Sequence, residues 1–144
     1  MNTNRKTGKI LEDVKINVKI KLAGLWVALM FLYIYADITL QLQSGFIEQV
    51  IAGVIEGIKI TPTHLFLTSI LMSIPSVMVL LSLTLKSQAN RWINIIVSIP
   101  HIGLAIVLML MPGGWAFGYI YSIGQIVCLL LIVWSAWKWP KQEG

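Results

Sequence analysis

The stretch WINIIVSIPHIGLAIVLMLMPGGWAFGYIYSIGQIVCLLLIVWSAW, residues 92–137, contains no Asp, Glu, Lys or Arg. A bilayer core about 30 Å thick is crossed by about 20 helical residues rising about 1.5 Å each. The stretch is more than long enough for two crossings. It is interrupted near its middle by MPGGW (111–115), where Pro112 and two glycines do not continue a helix. It therefore reads as two spans folded back at a tight turn. A second charge-free run, between Lys59 and Lys86, holds one more span, and the run from Leu22 to Ala36 anchors another.

Composition agrees. The chain has 144 residues, 57% of them apolar and only 12% charged, against about 45–50% and about 25% in soluble domains. A chain this small has too much surface to hide that surplus in a core, so the surplus faces lipid. The expected spans are 20–41, 63–85, 92–111 and 115–137, making an all-α, antiparallel four-helix bundle in one domain over residues 1–144. The first span begins like a signal peptide, with lysines before an apolar run. That run is at the long end for an h-region and no A-x-A site follows, so it is read as retained.

Orientation follows from the positive charges. Arg5, Lys6, Lys9, Lys15, Lys19 and Lys21 precede the first span. Lys86 and Arg91 lie between the second and third, and Lys138 and Lys141 follow the fourth. Only Lys59 of the 11 basic residues falls on the other side, with Asp37, Glu48 and Glu56. Both termini are thus expected in the cytoplasm, in a cell membrane. The formal net charge of +5 flanks the spans instead of lying along a soluble face. It is read as setting orientation and meeting anionic lipid heads, with no nucleic-acid partner. Trp92, Trp115, Trp134, Trp137 and Trp139 sit near span ends and read as an interfacial aromatic belt.

Between the first two spans, Phe46, Ile47, Val50, Ile51, Val54, Ile55 and Ile58 recur at helical spacing, with Glu48, Gln49 and Glu56 mainly opposite. This predicts an amphipathic helix on the outer membrane surface, weakened by Gly53 and Gly57. Its alternative role is a lid over the mouth of the bundle. Residues 10–19 are expected to form another interfacial helix. KSQANR (86–91) and PGG (112–114) are read as tight turns.

Helices in lipid pack through small residues and interhelical hydrogen bonds. Each span carries a polar or small stripe expected to face inward: Tyr33, Asp37 and Gln41; Ser69, Ser73 and Ser76; Asn94, Ser98, His101 and Ala105; Gly118, Tyr121, Gln125, Cys128 and Ser135. By depth, His101, Pro75 and Gln125 lie near the midplane, while Asp37, His64 and Tyr121 lie near the outer face. Asp37 reads either as a hydrogen-bonded residue ending its span or as a ligand or proton site facing outward. His101, after Pro100, reads either as a hydrogen-bonded core histidine or as a proton relay or ligand contact. Together Tyr33, Asp37, His64, His101, Tyr121 and Gln125 form the candidate polar pocket. Gly114 and Gly118 make a short GxxxG.

Catalysis has little purchase here. Cys128 is the single cysteine, so neither an intrachain disulfide nor a CxxC pair exists. There is no metal-ligand motif, nucleophile elbow or carboxylate pair at one depth. No catalytic, cofactor or metal residue is assigned.

LEDVKINVKIKLAGLWVALMFLYIYADI (11–38), ILMSIPSVMVLLSLTL (70–85), NRWINIIV (90–97) and LIVWSAWKWP (131–140) resemble a family of small bacterial four-span membrane proteins catalogued as a domain of unknown function. The resemblance covers nearly the whole chain. Asp37, Pro75, Arg91, Trp92 and Asn94 match its pattern without assigned roles. It implies a bacterial integral membrane protein of this topology and no activity or cofactor. Two readings follow from the residues. One is a binding or transport protein for a small molecule or ion with an outward-facing polar pocket; a single four-span chain is small for alternating access, so transport implies an oligomer. The other is a non-catalytic accessory or structural subunit packed against another membrane protein.

Overall fold

The computed structural model describes residues 15–110 and 116–140. Their elements are α1 (Val18–Gln41), α2 (Phe46–Ala52), a two-stranded antiparallel hairpin of β1 (Val54–Ile55) and β2 (Ile58–Lys59), α3 (Pro62–Thr84), α4 (Ser87–Leu110) and α5 (Ala116–Trp137). α1, α3, α4 and α5 are each long and apolar enough to cross a membrane. All four expected spans are present, with ends shifted by a few residues.

Local chemistry sets those ends. Asn17 caps α1 by accepting a bond from the Lys19 amide. Thr61 caps α3 in the same way through the His64 amide, and Pro62 occupies the first turn, where its missing N–H costs nothing. The expected interfacial helix over 10–19 does not cover residues 15–17, which precede α1 without helical structure; residues 10–14 lie outside the described set. The KSQANR connection is shorter than expected: only Leu85 and Lys86 separate α3 from α4. The PGG turn and Trp115 fall in 111–115, outside the described residues.

The segment between α1 and α3 departs from its prediction. The amphipathic helix stops at Ala52 because Gly53 turns left-handed at φ +70°. Beyond it, Glu56 (φ +48°) and Gly57 (φ +81°) form the two-residue turn of the β1–β2 hairpin, with Ile55 opposite Ile58. Two successive positive-φ residues suit the right-handed twist of a hairpin. Glycine at 53 and 57 therefore redirected a segment whose apolar spacing also fits a helix. The Gln49 side chain ties the two halves together by accepting from the Glu56 amide at 2.9 Å.

α1 packs against α3 on one side and α5 on the other, and α5 packs against α4. α3 and α4 touch sparsely, and α1 and α4 make no close backbone approach. The buried faces follow helical spacing: Leu22, Trp26, Leu29 and Tyr33 on α1, and Ser122, Gln125, Leu129, Ile132 and Ala136 on α5. α5 lies beside α1 at Gly124, where a Cβ would meet the Leu32 methyls at 3.4 Å, in ordinary contact, leaving no room for a larger side chain without moving Leu32. Gly118, by contrast, faces open space among the described residues, and Gly114, the other glycine of the short GxxxG, lies outside them.

Two of the four expected inward stripes need correction. Ser69, Ser73 and Ser76 of α3 are exposed. Ser69 and Ser73 bond carbonyls of their own helix, Leu65 at 2.8 Å and Ile70 at 2.7 Å, so neither needs a neighbouring span. On α1, Tyr33 is buried while Asp37 and Gln41 are exposed. The α4 stripe is buried throughout, at Asn94, Ser98, His101 and Ala105. On α5, Gln125 and Ser135 are buried and Gly118, Tyr121 and Cys128 are half-buried.

Candidate functional site

Two polar regions occupy the spans. The first is buried. Trp26 is 0% exposed and lies about 12 Å along α1, eight residues after Val18. Its indole crosses the interior to α4 and donates from Nε1 to Asn94 Oδ1 at 2.6 Å. Ser82 of α3 donates to the same oxygen at 3.3 Å. Asn94 Nδ2 donates to both the backbone oxygen and Oδ1 of Asn90, at 2.8 and 2.7 Å. Asn90 Nδ2 in turn donates to the Ser82 carbonyl at 2.6 Å. These four side chains join three helices, and each amide finds partners where water does not reach.

His101 stands beside this network, its ring edge-on to Trp26 with centroids 6.1 Å apart. Its Nδ1 donates to the Val97 carbonyl at 2.9 Å, which leaves Nε2 as the acceptor nitrogen of the neutral ring. That Nε2, Ser98 Oγ and Gln125 Oε1 are buried without a partner among the described residues.

The second region is a groove between α1 and α3, about 160 Å³ in volume, lined by Met30, Tyr33, Ile34 and Asp37 of α1 and by Met72 and Ser76 of α3. Asp37 is the only acidic residue on the four long helices. It lies about 28 Å along α1 from Val18, close to the end that leads to α2. Tyr33 sits one turn below on the same face. The residue is 9% exposed, and its hydroxyl is buried with no hydrogen-bond partner among the described residues. Ser76 Oγ is occupied by Met30 Sδ at 3.6 Å.

The six expected pocket residues are thus divided. The structure brings Tyr33 and Asp37 together in the groove. His64 lies in a separate shallow depression on α3 with Thr61, Thr63, Leu67, Thr68 and Leu71. Tyr121 is half-buried and shares a 3.1 Å hydrogen bond with Thr39 of α1. His101 and Gln125 belong to the buried interior. The interior centre, Trp26, was not among the expected residues. The available signal was position: of the six tryptophans, Trp26 alone sits well inside a span. Ser82, Asn90, Met30 and Met72 were likewise not singled out.

Cations and indoles mark the opposite end. Lys19 Nζ donates to the Leu85 carbonyl at 2.7 Å, capping the end of α3 from α1. Arg91 lies 5.7 Å from the Trp92 ring and 5.3 Å from the Trp137 ring, and Lys138 lies 4.1 Å over Trp134. Trp92, Trp134 and Trp137 are exposed. A cavity there is lined from the start of α1, the start of α4 and the residues after α5, including Lys15, Ser87 and Trp139.

Four long apolar helices, a buried polar network joining three of them and cation–indole pairs at one end define a small multi-pass membrane protein. The chain belongs to the family of unknown function DUF6326, which matches residues 9–144. Neither a curated protein nor a solved structure matches it.

Proposed function

We propose that this protein binds a small molecule within the membrane, in the groove between α1 and α3. One observation carries the reading: the only carboxylate on the long helices shares a groove with a buried tyrosine hydroxyl that has no partner. An ionisable group at such a position is expensive to keep without use. His64 and Tyr121 belong to the same end of the molecule as Asp37. His101 and Gln125 lie deeper and shape the interior behind it. The chain is read as non-catalytic.

The setting proposed is a bacterial cell membrane, with both termini cytoplasmic and neighbouring helices antiparallel. The Lys19–Leu85 and Thr39–Tyr121 bonds, at opposite ends of α1, support the helix directions. The cationic end then faces the cytoplasm and anionic lipid heads, and Asp37, α2 and the hairpin face outside.

Thermal stabilisation of the protein in lipid nanodiscs by a panel of small amphiphiles tests the binding reading. Ser76→Trp fills the groove from α3. Stabilisation of the wild type that the variant loses supports the site; stabilisation that survives the tryptophan removes it. Flux into proteoliposomes then separates transport from binding alone.

A second reading rests on α3. Residues 61–70 are exposed without a break, so much of this half of the helix is left uncovered by the described residues. Such a face suits an accessory subunit packed against another membrane protein or a second copy. Co-purification in mild detergent tests it, and a bundle that emerges alone and monomeric counts against it.

A further inference from the structure

We infer that the α1–α3 groove selects a monovalent organic cation whose apolar body is about the size of one aromatic ring, with the positive centre beside Asp37. The inference rests on the binding reading above and adds the ligand's charge and size.

The charge follows from the lining. Among the described residues, no Lys, Arg or His shares the groove with Asp37. An ionised Asp37 therefore has no countercharge inside the groove, and an anion there would meet it unscreened. A neutral occupant would displace water from the carboxylate without replacing its interactions, which is unfavourable. A divalent metal is ill matched, because such ions take several charged or carbonyl ligands. Among the described residues no group of three or more His, Cys, Asp or Glu exists to hold one. A single positive charge completes the site.

The rest of the lining suits an organic cation. Tyr33, one helical turn from Asp37, also lines the groove, its own hydroxyl buried without a partner among the described residues. A tyrosine ring attracts an ammonium centre within about 6 Å. Met30 and Met72 contribute flexible, polarisable thioethers that adapt to irregular apolar shapes, and Ile34 adds apolar wall. The volume of about 160 Å³ is comparable to apolar cavities of about 150 Å³ that accept a benzene.

The test compares phenyltrimethylammonium with its uncharged isostere tert-butylbenzene, in nanodiscs. Radiolabelled phenyltrimethylammonium is measured by equilibrium dialysis and tert-butylbenzene by competition against it. The wild type is expected to bind the cation about tenfold or more tightly than the isostere, a difference of about 1.4 kcal/mol per factor of ten. Asp37→Asn should lose that preference and Asp37→Glu should keep most of it. Ser76→Trp should lose both ligands. Thermal melts establish that each variant is folded, and Asp37→Glu against wild type preserves the comparison if Asp37→Asn is not. Equal affinity of wild type for the two probes, or an undiminished preference in folded Asp37→Asn, overturns the charge selection while leaving the groove as a binding site. Binding that persists in Ser76→Trp, or no binding of either probe to wild type, overturns both.

Discussion

Asn94 is the residue on which three helices converge, since Trp26 of α1 and Ser82 of α3 both donate to it, and the consequence is measurable. In lipid there is no hydrophobic force between helices, so an interhelical hydrogen bond and close packing carry the association. Trp26→Phe keeps an aromatic ring against His101 and removes only the donor to Asn94. It should destabilise the folded bundle by roughly 1 kcal/mol, the upper part of the range for such bonds in membranes. Asn94→Leu leaves the Trp26 N–H and the Ser82 hydroxyl without their acceptor, and should cost about 1–3 kcal/mol. Reversible denaturation in mixed micelles compares the two; equal stability of Asn94→Leu and wild type would refute the network's role. Asn94, Ser98 and His101 were legible because polar residues at helical spacing in an apolar segment have few places to go but inward. Trp26 was not, because an indole is equally at home at a membrane interface, and the five other tryptophans pull the reading that way.

The elements show how a backbone constraint overrides an apolar pattern. Residues 46–58 carry spacing that fits a helix, yet only Phe46 of its apolar face is buried, so packing does little to enforce the helix. The left-handed glycines then decide. Gly57→Val places a β-branched residue at φ +81° and should cost about 1–3 kcal/mol locally. Hydrogen exchange should accelerate in the hairpin and stay unchanged in α4 and α5; unchanged exchange at the Ile60 amide, which donates to the Gly53 carbonyl at 2.8 Å, would contradict the turn. α3 teaches the converse. Ser69 and Ser73 sit at interior-like spacing but satisfy themselves on their own helix's carbonyls, which sequence spacing does not distinguish from bonding a neighbour. Gly124→Leu tests the α1–α5 approach, since a bulky side chain must displace Leu32. A loss of about 1–3 kcal/mol is expected for overpacking, read in the same micelle assay.

For the whole molecule, the number and limits of the spans were legible because the bilayer sets a length and forbids charge within it. The division of the expected pocket was not. Which stripe faces which depends on helix rotation and neighbour order, and the sparse α3–α4 contact leaves α3 leaning on α1. The proposed orientation makes its own prediction. In a Cys128→Ser background, Glu48→Cys should react with a membrane-impermeant maleimide added outside intact cells, and Ser87→Cys only after lysis. The reverse pattern would invert the molecule.

The groove is bounded by the flanks of two spans, and no residue of α2, α4 or α5 lines it. The occupant proposed for it can therefore exchange sideways with acyl chains, and for an occupant that partitions strongly the leaflet is the reservoir. Occupancy should track the solute's mole fraction in the bilayer. For a solute that partitions strongly, adding empty liposomes at fixed total solute should dilute that reservoir and empty the groove, although the protein itself is unchanged.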